Sequence, residues 1–397
     1  LNSADAVIVK DLKEENIESF RPTVYVKLWF LKIPFFFKSF EKLKSGHRIL
    51  PLDLESEDRL VLRWTGFSLV PADVYPMLNM LQVKSVEDMD TLTARIGVPS
   101  WNFVFADSKG DIGYRLVGKT FKHEEKLPYG ISSMSFSEFA NEEYLDPSEQ
   151  PHVLKPSRQY VYSANNRHWP SDSKYYGGRG YSQSYRGFRI DELLKNGPHD
   201  QISFSNIQCD RQVVDARFFL KKLQKYLRLE EFKNWSMLAE DKSVVLPLYR
   251  RIMDLAMKQW EVNEYALYRL LDNLNENQVQ QLKNIHKLAM DEIDGRNWGE
   301  LHRANFPHMS KNNDWKFSPD IAGIGDTHSV DPGTSKWNED KKVYEQYSGA
   351  SMRMIVEMQS SPKIWLALPG LNRDYDKSSD SSPWENWKNC QYTQLKF

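Results

Sequence analysis

The chain is poor in cysteine and in net charge. It holds two cysteines, Cys209 and Cys390, among 397 residues, and 53 Lys and Arg stand against 54 Asp and Glu. Two lone cysteines without a CxxC pair make neither a disulfide framework nor a zinc site, and they leave the compartment open. The balanced charge supplies no global field for nucleic acid or for an anionic membrane. Long uncharged apolar runs are also missing. The most aromatic run, "VYVKLWFLKIPFFFKSF" (24–40), is broken by Lys27, Lys32 and Pro34, too short and too charged to span a bilayer, and its alternation suits a strand pair. The sequence opens on Leu1 and shows no charged segment followed by an apolar one that would read as a signal peptide.

Familiar catalytic patterns are missing too. The nine histidines (47, 123, 152, 168, 199, 286, 302, 308 and 328) form no HExxH and no closely spaced pair, and there is no GxSxG elbow. "GGRG" (177–180) lacks the strand and helix of a nucleotide site and reads as a loop. Acidic residues are plentiful, but none form a pair whose context suggests glycoside hydrolysis. Aromatics are abundant, with 12 Trp, 19 Tyr and 20 Phe, enough for a large core or for a pocket taking apolar ligands or sugars.

What is present is a mixed α and β pattern without repeats or an obvious linker. Strand-like runs cover 24–40 and 59–64, and a helical segment covers 74–81. In "SVEDMDTLTARIG", Ser85 is placed to cap a helix with acidic residues in its first turn. "NFVFADSKGDIGYRLVGK" reads as a hairpin turning at Asp107, Ser108, Lys109 and Gly110. The stretch from Tyr160 reads as a strand ending in Asn165 and Asn166. Arg186 to Leu194 is helical until Asn196, Gly197 and Pro198 stop it. Helical patterns dominate about 190–296, where Leu248, Ile252, Leu255 and Ala256 share a face. The last hundred residues return to short strands and loops.

An amide held at a strand end is a suitable oxyanion donor, because it is neutral, directional and needs no reorganisation when charge appears. That chemistry requires a nucleophile and a base. From local sequence alone, an Asn pair after a strand more often reads as a turn that caps its own backbone.

Six segments, "FVFADSKGDIGY", "SANNR", "SYRGFRIDELL", "IQCDRQVVDARFFLKKL", "NWGELHRANFPH" and "GASMRMIVEM", resemble in order and rough spacing the penicillin acylase family of N-terminal nucleophile hydrolases, which cleave amides. The resemblance covers nearly the whole chain. It implies an α+β fold, a four-layer αββα sandwich of two central antiparallel sheets covered by helices, with a largely helical insertion. It also implies a precursor that cuts itself, so that a new N-terminal serine becomes the nucleophile with its own α-amino group as base. On this reading residues 1–397 are an N-terminally incomplete catalytic domain with a mainly helical region at about 190–296. The nucleophile segment, the spacer and the small chain lie outside it, and the chain alone is expected to be inactive.

Residue by residue, Asn165 matches the asparagine whose amide completes the family's oxyanion hole. Arg186 matches an arginine that orders the active site, with Ile190 and Asp191 supporting the register. Gln208 and Asp210 match a recurring pattern read as structural. Ser3, in "LNSADAV", does not resemble the nucleophile segment. "GHRILPLD" (46–53) and "PGLNRDYDKSSDSSPWENW" (369–387) depart from the family's pattern. Tyr176 stands where a carboxylate ligand of a structural calcium is found in several members, which leaves that site one charge short; no cofactor is required for the chemistry.

The implied partners are an N-acyl amide substrate and the missing segments of the same precursor, with no nucleic acid and no transmembrane segment. A periplasmic or secreted location follows by analogy only, and the sequon Asn234-Trp235-Ser236 does not decide it. Two other readings stay open: a non-catalytic relative that has lost the nucleophile, and a carbohydrate-active protein.

Overall fold

Val7 and Val9, two residues apart, are fully buried on the strand Ala4–Lys10. This is the period-two pattern of a strand with one face on a core, in a segment where the sequence had suggested none. Arg59–Trp64 pairs with it antiparallel and Ser132–Ser135 parallel. The computed structural model describes residues 4–28, 31–51, 58–68, 70–122, 131–175, 177, 181, 184–304, 306, 320–370 and 382–396. Ser3, Tyr176 and most of "GGRG" therefore lie outside the described residues. The chain divides into two compact units, Leu1–Gln183 and Ser184–Phe397.

In the first unit the expected hairpin forms from Trp101–Ala106 and Ile112–Val117, with His152–Leu154 added on the far side. Its turn closes because the Asp107 carboxylate accepts from the Lys109 and Asp111 amides at 2.9 and 3.1 Å. Gly110 takes the positive φ of +86°, a conformation open to a residue without Cβ. Ser85 caps the helix Val86–Thr93 by accepting from the Asp88 amide at 3.1 Å. Arg115 then fastens that helix to the hairpin with a bidentate pair to Asp90 at 2.7 and 2.8 Å. The segment 74–81 is helical in pieces, Tyr75–Leu78 followed by the tighter Asn79–Gln82.

The run 24–40 forms a ribbon of Thr23–Leu28 and Leu31–Phe36. The segment from Tyr160 departs from expectation: no strand pairs with it among the described residues. It is held instead by Arg158, whose guanidinium lies over the Tyr160 and Tyr162 rings at 5.1 and 5.7 Å.

The second unit is built on helices. Val245–Gln259 buries Leu248, Ile252, Leu255 and Ala256 on one face, as their spacing predicts, and packs against Glu276–Ile293. Their core extends to Trp337 and Tyr344 on the strands Gly333–Asn338 and Val343–Gly349. His302–Ala304 joins that sheet in parallel, so sheets in both units mix the two senses. Among the described residues, with 33% helix, 25% strand and no barrel, the fold is α+β.

The cysteines correct the sequence reading, since Cys209 and Cys390 form a disulfide. Their separation of 181 residues carries no local signal, but the fold brings the Cα atoms to 6.3 Å. The helix Gln201–Gln208 packs on Arg353–Glu357, and Thr393–Gln394 extends the same sheet through Lys363–Ala367. Gln208 donates to the Met354 carbonyl at 3.0 Å and accepts from the Tyr392 hydroxyl at 2.6 Å.

Candidate functional site

Asn165 is exposed and has φ of +62°, the left-handed region that asparagine tolerates better than most residues. Asn166 closes the turn, its side-chain oxygen accepting from the Ala164 amide at 3.0 Å. The pair thus divides its labour: the Asn166 side chain caps the local backbone, and Asn165 takes the left-handed conformation.

Arg186 occupies the first turn of Tyr185–Leu194 in the second unit and is half-buried. Burial pulls its pKa below the ordinary arginine value, while a guanidinium stays protonated in any case. A cation at a helix N-terminus also opposes the helix dipole, so neither environment nor position favours it intrinsically. Arg189, one turn on, is committed elsewhere: it forks onto both Asp210 oxygens at 3.1 and 2.7 Å. That pair fixes Asp210 in a structural role. Asn165 and Arg186 fall in different units, and each is positioned by its own.

A buried charge network supports the start of the Arg186 helix. Arg250 donates to both oxygens of the fully buried Asp215, at 2.7 and 2.8 Å, and to Asp326 at 2.6 Å. The Tyr249 hydroxyl donates to Asp215 at 2.7 Å. His328 meets Glu264 at 2.8 Å, and its own amide donates to Asp326 at 3.1 Å. The ring of Tyr185, directly before Arg186, lies edge-on to His328 at 5.0 Å. Burial works against the charged form of His328, but the hydrogen bond to Glu264 and the field of Asp215 outweigh it and raise the pKa. Burial likewise opposes the Asp215 carboxylate, yet Arg250, His328 and the Tyr249 hydroxyl hold its pKa below the usual range.

Ligand atoms of Asp215, Glu264 and His328 lie within 4.8 Å of one another. A calcium ion does not suit this set. Arg250 already occupies both Asp215 oxygens and supplies the positive charge, and a hard cation prefers several oxygen donors to an imidazole. No local pattern could have revealed the network, because its members are spread from residue 185 to residue 328.

The first unit contains a cavity of about 370 Å³ lined by Phe121, Phe136, Phe139 and Tyr144, with Ser45 and His47 in its wall. The Ser45 hydroxyl and His47 Nδ1 are 3.0 Å apart, which has the look of a nucleophile with its base. Burial, and then the nearby Arg63, lower the His47 pKa to about 4. So weak a base is poorly matched to activating a hydroxyl near neutral pH.

A family model described as penicillin amidase matches residues 43–397. Among solved structures, the thermostable penicillin G acylase from Alcaligenes faecalis in its orthorhombic form is similar over 100% of this chain and 83% of that one, with a TM-score of 0.62 and 11% sequence identity.

Proposed function

The chain belongs to the penicillin amidase family, and from that premise we propose that it is the major part of the catalytic chain of an amidohydrolase acting on a linear N-acyl amide. A serine upstream of Leu1, freed by internal cleavage, attacks the amide carbonyl with its own α-amino group as base. The Asn165 amide stabilises the tetrahedral oxyanion, and Arg186 keeps the ordering role that the family resemblance gives it. The amine leaves, and water then releases the acid from the acyl enzyme. No metal or cofactor takes part in this scheme.

The observation that carries the reading is the family match across residues 43–397, which includes both Asn165 and Arg186. The exposed placement of Asn165 supports a presenting role. The Cys209–Cys390 disulfide supports an oxidising compartment, such as the periplasm or the extracellular space. No helix among the described residues is long and apolar enough to cross a membrane.

N-terminal sequencing of the native protein tests the proposal. A mature chain that contains Asn165, begins with an upstream serine and is accompanied by a second, smaller chain is the expected result. An uncleaved chain without Ser, Thr or Cys at such a junction would assign this sequence to a non-catalytic relative.

A further inference from the structure

The ribbon Thr23–Leu28 and Leu31–Phe36 pairs only with itself among the described residues, and neither strand joins a buried cluster. Cross-strand partners share a face, so the register sorts its side chains. Val24 with Phe35 and Val26 with Ile33 make one face; Thr23 with Phe36, Tyr25 with Pro34 and Lys27 with Lys32 make the other. A ribbon lying on a core would be apolar on one side only. Here both faces carry apolar side chains that meet solvent, with Phe35 53% exposed on the first and Tyr25 64% and Phe36 58% exposed on the second, beside the two lysines.

The charge of the ribbon has one sign, although the chain as a whole is balanced. Residues 19–40 include Arg21, Lys27, Lys32 and Lys38 and no Asp or Glu. Lys27 also stands directly opposite Lys32, a like-charge pair that destabilises a ribbon unless an anion lies against it. We propose that this ribbon docks on an anionic lipid surface, with its aromatic faces at headgroup depth and its four basic side chains against lipid phosphates. A protein partner covering one face would leave the other bare, whereas a bilayer interface surrounds both. Aromatic and basic residues are the types that favour that interface. The unpaired backbone groups along the ribbon edges keep it out of the hydrocarbon.

The mature native protein, with every chain it contains and the disulfide intact, is sedimented with vesicles of phosphatidylcholine and with vesicles that also contain phosphatidylserine. The expected result is binding to the second kind only, weakened by salt because exposed charges are screened. Lys27→Glu with Lys32→Glu lowers partitioning at least about tenfold, and Tyr25→Ser with Phe35→Ser also lowers it, both without moving the melting temperature. Failure to bind either vesicle overturns the proposal, as does equal binding to both, or binding that survives both pairs of substitutions. Self-association that the substitutions abolish, in the absence of vesicle binding, would assign the ribbon to a second copy of the chain instead.

Discussion

At Asn165 the backbone and the side chain make separate demands. With φ at +62°, an alanine there would incur left-handed strain of about 1 to 2 kcal/mol, whereas glycine would not. Asn165→Gly therefore removes the amide alone. In the complete mature enzyme it is expected to lower kcat by about a hundredfold to a thousandfold with KM and melting temperature little changed; turnover near wild type would remove Asn165 from the oxyanion hole. Two buried histidines act on stability with opposite signs. His328 has a raised pKa, so the folded state holds its proton more tightly than the unfolded state does. That contribution is complete below about pH 6.5 and fades as pH rises through the folded value. His302 is fully buried against Trp298 at a ring distance of 4.3 Å. Burial, with Lys388, Arg211 and Arg303 nearby, lowers its pKa to about 3. Its contribution is complete above about pH 6.5 and is lost toward pH 3 at about 1.4 kcal/mol per pH unit. Urea midpoints measured against pH should lose alkaline dependence in His328→Gln and acidic dependence in His302→Asn. The motifs around Asn165 and Arg186 were legible in sequence. The partners of His328 were not, because a network assembled from residues 185 to 328 leaves no spacing to read.

Among the elements, those with a local cause were the readable ones. Val86–Thr93 announces its cap with Ser85, the 101–117 hairpin announces its turn with Asp107 and Gly110, and Val245–Gln259 shows its buried face by spacing. The stretch from Tyr160 misled, since its aromatic alternation serves an arginine rather than a ladder. Ala4–Lys10 was missed because Val7, Ile8 and Val9 run on without alternation, and only the pairing with 59–64 reveals its inner face. Local causes can be weighed. Asn275 caps the helix Glu276–Ile293 by accepting from the Gln278 amide at 2.9 Å, so Asn275→Ala should cost about 1 kcal/mol. Ile252, fully buried between helices, should cost about 2 to 5 kcal/mol as alanine. Chemical denaturation that ranked the cap above the core residue would contradict this account of the second unit.

At the scale of the molecule, the second unit is closed covalently and the first is not. The disulfide cross-links residues 181 apart within Ser184–Phe397, and restricting so long a loop in the unfolded chain is worth up to about 5 kcal/mol. Hydrogen exchange after reduction should show lost protection in 184–397 and little change in Leu1–Gln183. Equal loss in both would mean that the two units unfold as one. The bond also sets a schedule for synthesis. Cys390 leaves the ribosome 181 residues after Cys209, a delay of about 10 to 40 s at ordinary elongation rates. Throughout that interval Cys209 has no partner among these 397 residues and waits for Cys390. Until Cys390 emerges, the Cys209 thiol stays open to exchange with other thiols.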